Sequence, residues 1–111
     1  MKQYHLDNKS GILSKVNSDT RVLLGEYEIK LLSILIDNIG KIISFDDLME
    51  FTWGRKIVSR GSLTKTICSL RYVLGDSDEP YDIIKTIHGK GYMMVTNSIS
   101  FIPLSSRKLA E

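Results

Sequence analysis

The chain has 111 residues, of which 42% are hydrophobic and 25% charged, with only two prolines. This is the composition of one small compact domain, too short to hold a catalytic domain beside a regulatory one and far from disordered or collagen-like sequences. The single cysteine excludes an internal disulfide framework, and with two histidines it leaves no metal-ligand set, so neither metal nor cofactor is expected and a reducing cytoplasm is the expected compartment.

From residue 4 to residue 24, short apolar runs (Tyr4–Leu6, Ile12–Leu13, Arg21–Leu24) alternate with turn-formers such as Ser10-Gly11 and Ser18-Asp19, which predicts short antiparallel strands. The spacing of Ile29, Leu32, Leu35, Ile36 and Ile39 predicts a helix over 26–38 that Gly40 stops. Tyr27, Leu31 and Ile34 lie on its opposite arc, so it should be sandwiched between two layers. No apolar run approaches the roughly 20 residues of a spanning helix, and Met1–Asp7 has no apolar signal core, so the chain is expected to be soluble and intracellular.

Ser44 followed by Asp47 resembles a capping box and predicts a second helix over 45–53, with Leu48, Phe51 and Trp53 as its buried contacts. The segment 54–60 has no helical period. Ser62 is the predicted N-cap of a third helix that runs to Leu74 and stops at Gly75, with Leu63, Ile67, Leu70 and Leu74 as its core seam. Two β-rich runs, Tyr81–Ile87 and Tyr92–Thr96, are joined by His88-Gly89-Lys90-Gly91, a glycine-containing hairpin loop. The predicted domain is 1–96, followed by a tail over 97–111 without a clear pattern.

The formal charge of +2 hides a segregation. Residues 26–50 carry six acids against Lys30 and Lys41, whereas 51–75 carry Arg55, Lys56, Arg60, Lys65 and Arg71 and no acid. After the acidic turn of Asp76, Asp78, Glu79 and Asp82, positive charge returns with Lys85 and Lys90. Two basic stretches on one side of the fold would make a polyanion-facing surface. The outward face of the third helix receives Thr64, Lys65, Cys68, Ser69, Arg71 and Tyr72, a set of donors without an acid that suits a major groove. The thin loop bearing His88 and Lys90 suits a minor groove.

Together, Leu24-Gly25-Glu26-Tyr27-Glu28-Ile29, Trp53-Gly54, Ser62-Leu63-Thr64 with Ile67, Leu70-Arg71 and Leu74-Gly75-Asp76, and Ile84-Lys85-Thr86-Ile87-His88-Gly89-Lys90-Gly91-Tyr92 resemble the winged helix-turn-helix effector domain of OmpR/PhoB-type regulators over residues 4–96. The Ser-Leu-Thr opening of the third helix is most similar to the one-component ToxR/CadC-like branch. The resemblance implies an α+β fold with an N-terminal four-stranded antiparallel sheet, a three-helix core and a C-terminal β-hairpin wing. It implies a bacterial, sequence-specific transcriptional regulator that binds double-stranded DNA, with helix 62–74 in the major groove and wing 83–96 at the minor groove.

Carried over by position, Thr64 and Ser69 would face bases, while Thr66, Cys68, Arg71 and Thr86 would lie near phosphates. Trp53 would pack beside the DNA backbone, although its residue type reads first as a packing side chain, and His88 would approach the minor groove. Arg60, Ser62, Lys65, Tyr72 and Lys90 complete the expected DNA-binding set. Arg55, Lys56 and Ile57 stand where the family contacts RNA polymerase, and a homodimer on DNA is the implied assembly. The chain departs from the family at Cys68-Ser69, where paired arginines are common, at His88, where arginine is common, and at Gly25, where a hydroxyl residue often caps the first helix.

No nucleophile, base and orienter can be assembled from these residues, so no enzyme and no small-molecule substrate are expected. The chain opens a few residues before its first strand, so its DNA affinity is not expected to respond to acetyl phosphate. A rival reading of another class is a protein-interaction module that uses the 54–60 loop or the Leu31 and Ile34 face of the first helix.

Overall fold

The computed structural model describes residues 2–7, 9–16, 18–95 and 99–103. Three N-terminal strands, β1 (Lys2–Asp7), β2 (Ile12–Lys15) and β3 (Arg21–Leu23), precede helix α1 (Glu26–Asp37), the two-residue strand β4 (Ile43–Ser44) and helix α2 (Phe45–Trp53). Helix α3 (Arg60–Val73), the hairpin strands β5 (Ile84–Ile87) and β6 (Gly91–Met94), and strand β7 (Ile99–Pro103) follow.

The first sheet has the order β3-β2-β1-β7 and the second the order β4-β6-β5. β1 pairs with β2, and β2 with β3, in antiparallel register. The fourth strand of this sheet is not N-terminal: β7 comes from the segment that the sequence leaves without pattern, and it lies parallel to β1 with Lys2 opposite Ile99. At the β1–β2 turn the Asp7 carboxylate accepts from the amides of Lys9 and Ser10, and Gly11 turns with φ +79°.

Apart from Ile42, Ile57, Tyr72 and Phe51, the last expected as a buried contact of α2 but exposed, the large apolar side chains of the helical layer are buried or half-buried. Leu31, Leu32 and Leu35 of α1 are fully buried, Ile29 reaches the β1–β2 turn at Gly11, and the Tyr27 ring lies 5.5 Å from that of Trp53 in α2. An apolar circumference on α1 therefore has the two-layer cover it predicts. The expected interaction face at Leu31 is corrected by this packing: the side chain has no exposure.

Ser44 Oγ accepts from the Asp47 amide at 3.1 Å, the cap expected for α2, and Gly54 ends that helix with φ +64°. Leu63, Ile67, Leu70 and Leu74 form a seam with no exposure. β4 must approach β6 closely, because a Cβ on Gly91 would lie 1.8 Å from the Ile43 carbonyl oxygen, so only glycine fits there. Among the described residues no helix is long and apolar enough to cross a membrane.

Candidate nucleic-acid interface

Helix α3 starts at Arg60, ahead of Ser62, its predicted N-cap. Ser59 is the N-cap, without a side-chain capping bond, and Ser62 lies within the first turn with its amide directed to the Ser59 carbonyl at 3.0 Å. The local signal is weak because Gly61 is a poor helix former and the apolar period starts only at Leu63. The Thr64 and Thr66 hydroxyls donate back to the Arg60 and Ser62 carbonyls, at 3.2 and 2.8 Å. Each hydroxyl oxygen keeps its capacity to accept a hydrogen bond.

Thr64, Lys65, Cys68 and Tyr72 are exposed along α3, whereas Ser62, Thr66 and Ser69 are half-buried. No acid lies anywhere on this helix. Across from it, the wing tip turns through Gly89 with φ +74° and a Lys90 amide bond to the Ile87 carbonyl, and it leaves His88 and Lys90 exposed. An open cleft of about 490 Å³ separates the two walls, with Thr64 and Cys68 on the helix side and Lys85, Thr86 and His88 on the wing side. Of the two basic stretches, Arg71 from the first and Lys85 from the second line this concavity. Glu79 of the acidic turn also lines it, a negative contribution that the charge blocks do not anticipate.

Arg71 is the main departure from the expected set. Its wheel position puts it at the flank of the outward face and the family resemblance puts it near phosphate, yet the residue is buried. Nε and Nη2 donate to the Ile84 carbonyl at 3.0 and 2.6 Å, and Nη2 donates to Thr86 Oγ1 at 3.0 Å. The guanidinium carbon lies 3.5 Å from the Tyr81 ring centroid and 5.7 Å from that of Tyr92. Burying a guanidinium is tolerable only with such hydrogen bonds and aromatic faces, and the wing supplies both. Thr86, half-buried, accepts from Arg71 and keeps its own hydroxyl proton to donate.

Trp53 is likewise a core residue, buried against Tyr27 rather than displayed at the surface. Arg60 is exposed, with its guanidinium carbon 3.9 Å from the Phe45 ring centroid, and Phe45 meets the buried Tyr92 ring edge-on at 5.6 Å. Neither Phe45 nor Tyr81 is legible as a site residue. Nothing local in the sequence marks an aromatic as the platform for a cation fifteen or ten residues away.

In the loop between α2 and α3, Arg55, Lys56 and Ile57 are all exposed, Ile57 completely. Lys56 Nζ donates to the Tyr27 hydroxyl, and this bond holds the ammonium above the usual lysine range. The loop is thereby pinned to α1 one residue before its apolar tip. Among the described residues no cluster of His, Cys, Asp and Glu could hold a metal ion.

The family model described as "Transcriptional regulatory protein, C terminal" matches residues 19–94. The chain is 30% identical over 108 residues, 95% of its length, to a cholera toxin homolog transcriptional activator of Vibrio parahaemolyticus. It is 35% identical over 79 residues, 71% of its length, to the transcriptional regulator HilA of Salmonella typhi. It spans only 37% and 14% of those two relatives. Among solved structures, the DNA-binding domain of E. coli CadC superposes with a TM-score of 0.69 at 28% identity, covering 79% of this chain and 81% of that one.

Proposed function

The chain belongs to the family of OmpR/PhoB-type transcriptional regulatory C-terminal domains, and from that premise we propose that it binds double-stranded DNA sequence-specifically, with α3 in the major groove and the wing at the minor groove. The observation that carries this reading is the shared cleft: an acid-free helix, with Thr64 and Cys68 in the cleft wall and Lys65 exposed on the same helix, stands opposite a wing bearing Lys85 and His88. Exposed donors on both walls attract a polyanion, with Glu79 the one opposing charge in the lining, while Ser69 and Thr66 are half-buried. Lys65 and Tyr72 reach furthest from the core seam. Lys90, beside His88, supplies a second cation at the wing tip.

Binding, not catalysis, is the role of such a domain. The unit runs from β1 through β7, since the first sheet is completed by residues 99–103. The compartment is the bacterial cytoplasm, where duplex DNA is reached. RNA polymerase is the partner at the 54–60 loop, a reading supported by the complete exposure of Ile57 on a pinned tip. A second copy on adjacent DNA is the proposed assembly.

Selection of duplexes from a random pool, followed by binding at several salt concentrations, tests the reading. The expected result is an enriched sequence and an affinity that falls steeply with salt; Lys65→Ala should lower the salt slope by about 1, or relax preference at a single base by about 1–3 kcal/mol. Salt-insensitive behaviour with no enriched sequence would overturn it in favour of the protein-interaction module.

A further inference from the structure

Ile84, the first residue of β5, has both of its backbone polar groups held by side chains, from Arg71 in the last turn of α3 and from Asp76 just beyond that helix. Its amide donates to Asp76 Oδ2 at 3.0 Å, and its carbonyl accepts from Arg71 Nε and Nη2. Asp76 is itself tied to the helix, since its amide donates to the Arg71 carbonyl at 2.7 Å. The same carboxylate takes the amides of Asp82 and Ile83, which fixes the path of the chain into β5. The guanidinium then reaches one residue pair further along the wing, to Thr86, while Tyr81 covers one of its faces.

We propose that Arg71 is a positioning residue: it contacts no DNA, and it sets the separation of recognition helix and wing so that major-groove and minor-groove contacts are made together. The proposal rests on the DNA-binding reading above. Two features of the site require arginine in particular. One guanidinium serves two acceptors on the same strand and presents a planar face to Tyr81; a lysine ammonium has the charge without the fork or the plane. A wing released from this tie would still be a hairpin, because the β5–β6 ladder from Ile84–Met94 to Ile87–Gly91 does not involve Arg71. What it would lose is its fixed distance from α3.

The test uses the 111-residue chain with Arg71→Lys, a wing-tip variant combining His88→Ala and Lys90→Ala, and the two together, on a duplex that the parent selects from a random pool. Arg71→Lys should weaken binding by about tenfold, the scale of a lost hydrogen bond to a charged group. In hydroxyl-radical footprinting it should lose protection at the wing end of the site and keep protection around the recognition helix. In the wing-tip background the same substitution should change affinity by no more than about threefold, since the tip contacts that the tie places are already gone. Parent-like affinity with an intact footprint, or full additivity with the wing-tip variant, would overturn the proposal and return Arg71 to a phosphate.

If Arg71→Lys does not fold, Tyr81→Leu decides. It removes the ring beside the guanidinium and leaves every cation of α3 and the wing in place, and it should reduce affinity about threefold with loss of the wing-end footprint alone; an unchanged footprint overturns the tie. Should the parent select no duplex, the DNA-binding reading fails and the tie is read in the free protein. Arg71→Lys, or Tyr81→Leu where the lysine variant does not fold, should then speed exchange of the Lys90 and Val95 amides, which donate to the Ile87 and Ile83 carbonyls, several-fold while the α1 amides stay as in the parent, and unchanged wing exchange would overturn it.

Discussion

The Arg60 guanidinium lies over the Phe45 ring, 3.9 Å from its centroid, so the first residue of α3 is held by the first residue of α2. The ring is braced in turn by the buried Tyr92 of the wing strand β6. A cation at the start of the recognition helix is thus given one direction by an aromatic platform that belongs to two other elements. On DNA the expected consequence is a split between two variants. Arg60→Ala should lower the slope of log affinity against log salt by about 1, whereas Phe45→Leu should weaken binding by about two- to fivefold with the slope unchanged, because the charge remains and only its direction is lost. Filter-binding or anisotropy titrations at four salt concentrations separate the two.

Ile57 should matter to transcription and not to DNA. It is fully exposed at the tip of a loop that the Lys56–Tyr27 hydrogen bond pins to α1. Ile57→Ser is expected to reduce activation several-fold in a reconstituted transcription assay while the affinity for DNA stays within about twofold of the parent. Equal loss of both would move the loop onto the duplex. Lys56→Met, which removes the pin and keeps Ile57, should give a weaker defect of the same kind.

Thr52 in α2 has no exposure, and its hydroxyl has no hydrogen-bond partner among the described residues. A buried hydroxyl without a partner costs free energy that an isosteric methyl does not. Thr52→Val should therefore raise stability by about 1 kcal/mol, seen as a higher urea midpoint at unchanged slope. A lower midpoint would mean that the hydroxyl is satisfied in solution.

At the β1–β2 turn, the Ser10 side chain and the Lys9 amide hold the Asp7 carboxyl below its usual range. The sign follows from linkage. A carboxylate with a depressed folded-state pKa stabilises the fold above the ordinary carboxylate pKa, and that contribution is lost as pH falls through the folded value. Asp7→Asn should consequently be less stable than the parent at neutral pH, and the gap should close in acid. Urea midpoints at about pH 7 and about pH 2.5 give the comparison, and a gap of the same size at both would assign the turn to hydrogen bonding alone.

Much of the fold is legible locally. The Leu63, Ile67, Leu70 and Leu74 seam, the Ser44 cap of α2, the glycine-turned wing and the apolar circumference of α1 are patterns within one element, and periodicity or a capping pair suffices to read each. The start of α3 is less legible because Ser59 caps it through backbone geometry alone. β5 begins at Ile84 and not at Tyr81 since Asp76 has already taken the amides of residues 82–84.

The charged face of the candidate site is likewise written in the sequence: charge order and helical spacing are enough to set Thr64, Lys65 and Cys68 outward and to bring a second basic stretch after an acidic turn. Which cations are free to meet DNA is not. Arg71, Arg60 and Lys56 look alike on a chain, and each is settled by an aromatic ring or carbonyl far from it in sequence: Tyr81 and Ile84 for Arg71, Phe45 for Arg60, Tyr27 for Lys56. The parallel pairing of β7 with β1 is of the same kind, since 99–103 carries no period that names a partner at the opposite end of the chain. Local patterns are determined by neighbours a few residues apart, which a sequence displays. Long side chains and edge strands choose among acceptors that exist only once the layers have packed, and that choice belongs to the tertiary structure alone.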